Sequence, residues 1–238
     1  MIDNMSLVQD YPSKIAAMLL NDEIDVGLVP VAIIPKMIEH YIIGDYCIGA
    51  VKEVASVCLF SEVPLTEIKT VILDYQSRTS VALAKILLEK YWKLNVKFVT
   101  ATENFRDDIK GTTAAVVIGD RAFEQRTISR FYYDLAASWI DFTGLPFVFA
   151  AWVANKKLPE AFITQFNEAN SIGLQNIDDV IAENESLFYD LKTYFTENIS
   201  YDLSADKRKG LEKFLEYLNP DFSVEFALKG KITKETRL

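Results

Sequence analysis

Three short β-rich runs, Thr70–Leu73 (TVIL), Val96–Val99 and Ala114–Ile118 (AAVVI), separated by helical segments, constrain this chain more than any other feature. Thr70–Leu73 and Ala114–Ile118 are short and apolar enough to read as buried strands. The helices between them supply the cover, so the middle of the chain reads β-α-β-α-β and predicts an α/β fold with parallel sheets. The clearest helix spans Arg78 to Trp92, where Ala84, Leu87, Leu88 and Tyr91 recur at i, i+3, i+4 and i+7. A shorter one is expected near Asn104–Ile109.

The flanking regions follow the same logic. Pro12–Asn21 places Ile15, Met18 and Leu19 at helical spacing, and Ile24–Val29 follows as a strand. A short helix over Pro35–His40 leads to Tyr41–Ile43, then to a strand over Val54–Phe60 and one helical turn at Pro64–Ile68. The aromatic-rich stretch from Asp134 to Ala154 ends in a strand, Pro146–Val153. After it the chain is expected to be helical to its end: Leu158–Ala169, Ile177–Asn184, and a last helix with the stripe Leu211, Phe214, Leu215 and Leu218, capped by Ser204. With no internal repeat, low-complexity tract or Gly/Ser-rich linker, two lobes would be joined by strands.

A chain of 238 residues is one large domain or two small ones. Half of its residues are hydrophobic and 12% are aromatic, which excludes a disordered chain. Against 34 acidic residues stand 25 basic ones, a net charge of −9 with no basic run, so nucleic acid is not an expected partner. The negative surface repels anionic small molecules at long range. An anionic ligand must therefore be held by a local device, such as a helix N-terminus or a single buried Arg. Cys47 and Cys58 lie in apolar stretches without metal-site spacing and read as reduced core residues. The opening Met1-Ile2-Asp3-Asn4 lacks a signal-peptide pattern, and the most apolar stretch, Leu145–Ala154, is too short to cross a bilayer. A cytoplasmic protein without a membrane partner is expected; the oligomeric state is not legible.

The segment Leu73-Asp74-Tyr75-Gln76-Ser77-Arg78-Thr79-Ser80 joins a buried strand to the strongest helix. It brings three hydroxyls and a guanidinium to the unpaired N–H groups of a helix start, a combination suited to a carboxylate. Capping alone needs one hydroxyl, with Arg78 paired to a surface acid. A second strand end, Val117-Ile118-Gly119-Asp120-Arg121, offers close backbone approach at Gly119 and a carboxylate at Asp120 where ligands meet open α/β sheets. Its plain alternative is an Asp120–Arg121 turn pair. Pro30, in Gly27-Leu28-Val29-Pro30-Val31, fixes a third such end. Ser56, inside an apolar strand, needs a partner when buried, either a ligand or its own backbone. Thr143-Gly144-Leu145-Pro146-Phe147 reads as a loop that shapes a wall.

The missing parts are informative. His40 is the only histidine and lies at a helix end beside Glu39 and Tyr41, so serine-hydrolase and zinc chemistry both lack components. There is no GxGxxG and no GxxxxGK[ST], and no cofactor is expected.

Taken together, Glu23–Val31, Ala55–Ser61, Leu73-Asp74 with Ser77-Arg78-Thr79-Ser80, Ile118-Gly119-Asp120-Arg121-Ala122 and Thr143–Phe147 resemble the chorismate dehydratase family of the futalosine route to menaquinone. The resemblance runs in order from about Ser6 to the C-terminal helices. It implies a two-lobed, type 2 periplasmic-binding-protein-like α/β fold with a ligand cleft between the lobes, residues 1–57 and 155–238 forming lobe I and 58–154 lobe II. The implied reaction removes water from chorismate to give 3-[(1-carboxyvinyl)oxy]benzoate, without metal or nucleotide. Thr79 and Ser80, with Ser77 beside them, are implied to hold one substrate carboxylate, faced from the first lobe by Ser56 and the Pro30 loop. The proton acceptor stays unassigned, a carboxylate of the substrate included. Family members begin with a strand and a Tyr-Leu-Asn loop, both of which this sequence, starting at Met1-Ile2-Asp3-Asn4, is expected to lack. The related 1,4-dihydroxy-6-naphthoate synthase carries His-Glu where this chain has Gly119-Asp120. That enzyme, and a non-catalytic binding protein for a small carboxylate, are the alternatives.

Overall fold

The structure is a computed structural model that describes residues 5–74, 77–184, 186, 188–224, 226–228 and 231–233. The opening Met1–Asn4, and Tyr75 and Gln76 of the mid-chain turn, lie outside the described residues.

Eleven strands are present among them: β1 (Val26–Pro30), β2 (Tyr41–Ala50), β3 (Val57–Ser61), β4 (Thr70–Leu73), β5 (Lys97–Thr100), β6 (Thr113–Ile118), β7 (Phe131–Asp134), β8 (Phe147–Ala154), β9 (Ser200–Asp202), β10 (Phe226–Leu228) and β11 (Lys231–Thr233). The α-helices are α1 (Pro12–Leu20), α2 (Arg78–Ile86), α3 (Asp120–Ile128), α4 (Leu135–Thr143), α5 (Glu160–Gln175), α6 (Ile177–Ala182), α7 (Leu191–Thr193) and α8 (Ala205–Leu218). The mid-chain alternation is as the sequence predicts. The C-terminal part is not wholly helical, because β9, β10 and β11 return to a sheet.

The strands form two sheets, ordered β1-β8-β2-β10-β11, with β9 on β2, and β5-β4-β6-β3-β7. The expected parallel sheets are mixed ones. In the second, β4 runs parallel to β5 and β6, whereas β3 is antiparallel to both β6 and β7. The reason lies in chain order: β3 enters the sheet before the first crossover helix and is inserted between β6 and β7 in the opposite sense. At the far edge all four residues of β5 are exposed, and Lys97 there guards the unpaired ladder against other chains.

The chain divides into two compact units, one within Met1–Gly49, Val148–Glu185 and Tyr201–Leu238, the other within Ala50–Phe147 and Ser186–Ser200. These bounds differ from those expected at 57/58 and 154/155. Ser56 belongs to the second unit, and residues 186–200 come back to it late in the chain. In the first unit, Tyr41, Ile43, Ala154, Ile163 and Phe166 form a core against α5. Gly44 (φ +75°) brings β2 so close to α5 that a Cβ there would sit 2.6 Å from Asn167 Oδ1, the oxygen that accepts the Asp45 N–H. The second unit's core gathers Cys58, Phe60, Ile72, Phe105, Ala115 and Val117 from three strands and the segment after β5. Ser204 caps α8 by accepting the Lys207 N–H, as the sequence predicts.

Both cysteines are buried thiols outside any disulfide. Burial pushes the Cys47 thiol up to about 11 and raises Cys58 as well, with the nearby Asp134 charge adding to it. Thiol reagents attack the thiolate, so iodoacetamide at pH 8 should leave both unlabelled in the folded protein and label both in denaturant; rapid labelling of the native chain would contradict the packing. The linkage has a definite sign. Cys47 titrates higher when folded than its ordinary 9.0, so its contribution to stability is intact below pH 9 and is lost as the pH rises towards about 11.

Candidate functional site at one edge of the second sheet

Strand register fixes which chain ends meet. Thr70 lies beside Thr113 and Ile72 beside Ala115 in parallel strands, so β4 and β6 finish at the same edge. Val57 is opposite Ile118, and Cys58 opposite Asp134, so β3 begins there and β7 ends there. Helices α2, α3 and α4 therefore all start at this edge. From β4 the chain crosses through α2 to β5 on one side, and from β6 through α3 to β7 on the other. The connections diverge between the ends of β4 and β6, a topological switch point where open α/β sheets bind ligands.

The two strand-end motifs meet at that point. Asp74, whose side chain is wholly buried, accepts a hydrogen bond from Arg121 Nη2 at 2.6 Å. Arg121 thus does not make the turn pair with Asp120 given above as the plain alternative: it reaches across to the residue after β4 and also lies over the Phe105 ring at 5.7 Å. Asp120 is left exposed at the first turn of α3. Arg121→Met should destabilise the protein by about 2 kcal/mol, lowering the melting temperature by roughly 4–8 °C. The estimate sits below the full cost of a broken buried pair because Arg121 is 27% exposed and solvent can reach the stranded charge. An unchanged melting temperature would show that the pair contributes nothing.

At the start of α2, Ser77 performs the capping: its Oγ accepts the Ser80 N–H at 3.1 Å. The same hydroxyl donates to Ser80 Oγ at 2.8 Å, so the proton of Ser80 is not directed at Ser77. Thr79 and Ser80 are 1% and 2% exposed. Arg78 occupies the first helical position, half-buried, and the first turn of α2 contains no acidic residue. A cation at the positive end of a helix is an unfavourable arrangement that an anion would relieve.

Gly119 has φ +65° and ψ −148°, a conformation glycine adopts readily, and a Cβ on it would meet nothing within 4 Å. Its N–H donates to the carbonyl of Ser56 at 2.8 Å. Ser56 itself is buried, and its Oγ pairs with the Tyr194 hydroxyl at 2.8 Å. It follows a strained residue, Ala55, at φ +65°, where a non-glycine side chain costs roughly 1–2 kcal/mol. Asp134 holds that kink. Its carboxylate accepts the N–H groups of Ala55 (2.8 Å) and Val54 (3.1 Å) and, as the cap of α4, those of Ala136 and Ala137. Arg126 Nη1 donates to the Ala55 carbonyl at 2.8 Å from the other side. Burial pushes the Asp134 carboxyl up, against the pull of those backbone donors.

Seven of the eight sequence-derived candidates, Ser56, Ser77, Arg78, Thr79, Ser80, Gly119 and Asp120, thus lie along one sheet edge of the second unit. Pro30 does not join them: it ends β1 in the first unit, opposite Ala150, and leads into a 3-10 helix over Val31–Lys36. Ser56, expected in the first lobe, is in the second unit. Thr143–Phe147 closes α4, with Gly144 at φ +72°. His40, in the first unit, places Nε2 3.3 Å from the Ser223 carbonyl and its ring against Phe222. Sequence reasoning missed Asp134 and Tyr194, and of the two readings it left open for Asp120 and Arg121 neither named Asp74 as the partner of Arg121. Only Asp134 left a local signal, an Asp two residues before an Ala-rich run, which is a helix-cap pattern. Among the described residues no group of three or more His, Cys, Asp or Glu could hold a metal ion, and no helix is long and apolar enough to cross a membrane.

Comparison with known proteins adds the following. A family model described as menaquinone biosynthesis matches residues 2–220. A chorismate dehydratase of Thermus thermophilus is 27% identical over 248 residues, covering 94% of this chain and 91% of that protein. Two solved structures share the fold. A structural-genomics protein of Archaeoglobus fulgidus aligns with a TM-score of 0.63 at 11% identity over 90% of this chain and 85% of its own. An ABC transporter structure from Parabacteroides distasonis aligns with a TM-score of 0.63 at 18% identity, over 92% and 85%.

Proposed function

Because this chain belongs to the menaquinone biosynthesis family, we propose that it is a chorismate dehydratase, a carbon–oxygen lyase that eliminates water from chorismate to give 3-[(1-carboxyvinyl)oxy]benzoate. In the elimination a ring C–H bond breaks, its electron pair forms the new ring double bond, and the neighbouring C–O bond releases hydroxide, which leaves as water with the proton. The ring becomes aromatic, so the drive resides in the substrate. The protein has to orient a dianion and assist hydroxide departure.

The observation that carries this reading is the start of α2. A half-buried Arg78 at the helix N-terminus, no acid in the first turn, and the buried hydroxyls of Thr79 and Ser80 make a seat for a carboxylate on a chain whose net charge is −9. The Ser80 proton, turned away from Ser77, is the donor. Asp120, exposed at the start of α3, offers an acceptor to a ligand hydroxyl, and the open space at Gly119 lets a ligand approach the backbone. We read the two compact units as the lobes of a type 2 periplasmic-binding-protein-like fold, a reading supported by the shared fold of the transporter structure. Two buried thiols, neither in a disulfide, fit the reducing conditions of the cytoplasm.

The test is direct. Purified protein mixed with chorismate, without added metal or nucleotide, should give a new aromatic ultraviolet absorbance and a product lighter than chorismate by one water. Thermal stabilisation by chorismate with no product would instead identify a binding protein.

A further inference from the structure

The late segment Ser186–Ser200 returns to the second unit and fastens to the sheet edge that carries the candidate site. Tyr189 stacks on Phe123 of α3 with ring centroids 4.4 Å apart and planes 14° apart, and Tyr194 meets the same ring edge-on at 5.0 Å. The Tyr189 hydroxyl donates to Asn198 Oδ1 at 2.9 Å, and Asn198 Nδ2 in turn donates to the Glu53 carbonyl at 3.2 Å, three residues before Ser56. These contacts leave the Tyr194 hydroxyl 2.8 Å from Ser56 Oγ, across 138 residues of sequence.

We propose that Tyr194 is a positioning residue for the dehydration: its O–H donates to Ser56 Oγ, so that the proton of Ser56 points to an oxygen of the substrate. The role rests on the dehydratase reading above. Of the two possible senses of the Ser56–Tyr194 bond, only this one leaves Ser56 a donor. A phenol is a stronger donor and a weaker acceptor than an aliphatic hydroxyl, which favours this sense of the bond. Burial holds the Tyr194 phenol in its protonated form, against the opposing pull of the Ser56 hydrogen bond. The backbone of Ser56 is held by the strained Ala55 on one side and by the Gly119 N–H on the other, which fixes where its side chain leaves the chain. In the elimination the protein adds and removes nothing here: the Ser56 proton is shared with the developing negative oxygen and returns when water leaves.

The test is a double-mutant cycle with Tyr194→Phe and Ser56→Ala on chorismate turnover. Phenylalanine keeps the edge contact with Phe123 and removes only the hydroxyl. Tyr194→Phe should lower kcat about tenfold, the rate equivalent of one oriented hydrogen bond, with KM within about twofold and a melting temperature lowered by no more than about 2–4 °C. The double variant should be no slower than Ser56→Ala alone, a coupling that a merely structural tyrosine would not produce. An active wild type with fully additive losses, or a Tyr194→Phe protein as fast as wild type, overturns this role and leaves the dehydratase reading intact. A wild type that does not convert chorismate overturns both.

Discussion

Replacing Thr79 and Ser80 together by alanine should lower kcat/KM for chorismate by about 100-fold or more. A hydrogen bond to a charged group contributes about 1.5–3 kcal/mol, and each 1.4 kcal/mol is tenfold. Two such bonds to one carboxylate set the estimate. The loss should appear in steady-state kinetics while the helix survives, because Ser77 keeps its bond to the backbone N–H of residue 80 and alanine is the best helix former. The circular dichroism spectrum should stay that of the wild type, with the melting temperature lowered by only a few degrees for the buried hydroxyl bonds removed. Unchanged kinetics would mean that the start of α2 is only a capped helix.

The largest expected effect on stability is at Asp134. One buried carboxylate satisfies four backbone N–H groups, two in the Val54–Ala55 turn and two at the start of α4. Asp134→Ala removes a helix cap, at about 1 kcal/mol. It also strands two buried donors at about 1–3 kcal/mol each. A total near 4 kcal/mol, or roughly 8–16 °C of melting temperature, is expected. Asp134→Asn keeps one acceptor oxygen and should lose about half as much. Because Ala55 is held at φ +65° by this carboxylate and by Arg126, the alanine variant should also lose turnover beyond its loss of folded protein, as Ser56 drifts from its place. A melting temperature within about 2 °C of wild type would show that water replaces the carboxylate without cost.

What the sequence reveals and conceals here follows from range. Helix α2 is legible because its apolar stripe is local, and the strand runs TVIL and AAVVI because short apolar runs between helices have few other uses. Helix α3, DRAFEQRTI, is too polar to show a stripe, and α4, LAASWIDFT, hides in an aromatic stretch that suggests strand. The three C-terminal strands are three residues each and carry too little pattern to break a helical expectation. The mixed sense of the second sheet depends on where β3 inserts, and no local pattern encodes that.

The site divides along the same line. Motifs that start a helix after a strand mark themselves, so the candidates at the ends of β4 and β6 can be picked out locally, whatever they bind. Their partners are remote: Arg121 is 47 residues from Asp74, Asp134 is 79 from Ala55, and Tyr194 is 138 from Ser56. Each is a side-chain bond that only the folded chain brings together. The place of Ser56 in the second compact unit is hidden for a related reason. The chain crosses between units at Gly49–Ala50, inside what reads as continuous β-rich sequence.

The most direct measurement is a crystal structure of the protein soaked with 3-[(1-carboxyvinyl)oxy]benzoate. One carboxylate should lie within hydrogen-bond distance of the Thr79 and Ser80 hydroxyls at the start of α2, with the ring over Gly119. A product molecule bound elsewhere, with that helix start occupied only by water, would contradict the assignment of the anion seat and the account of catalysis built on it.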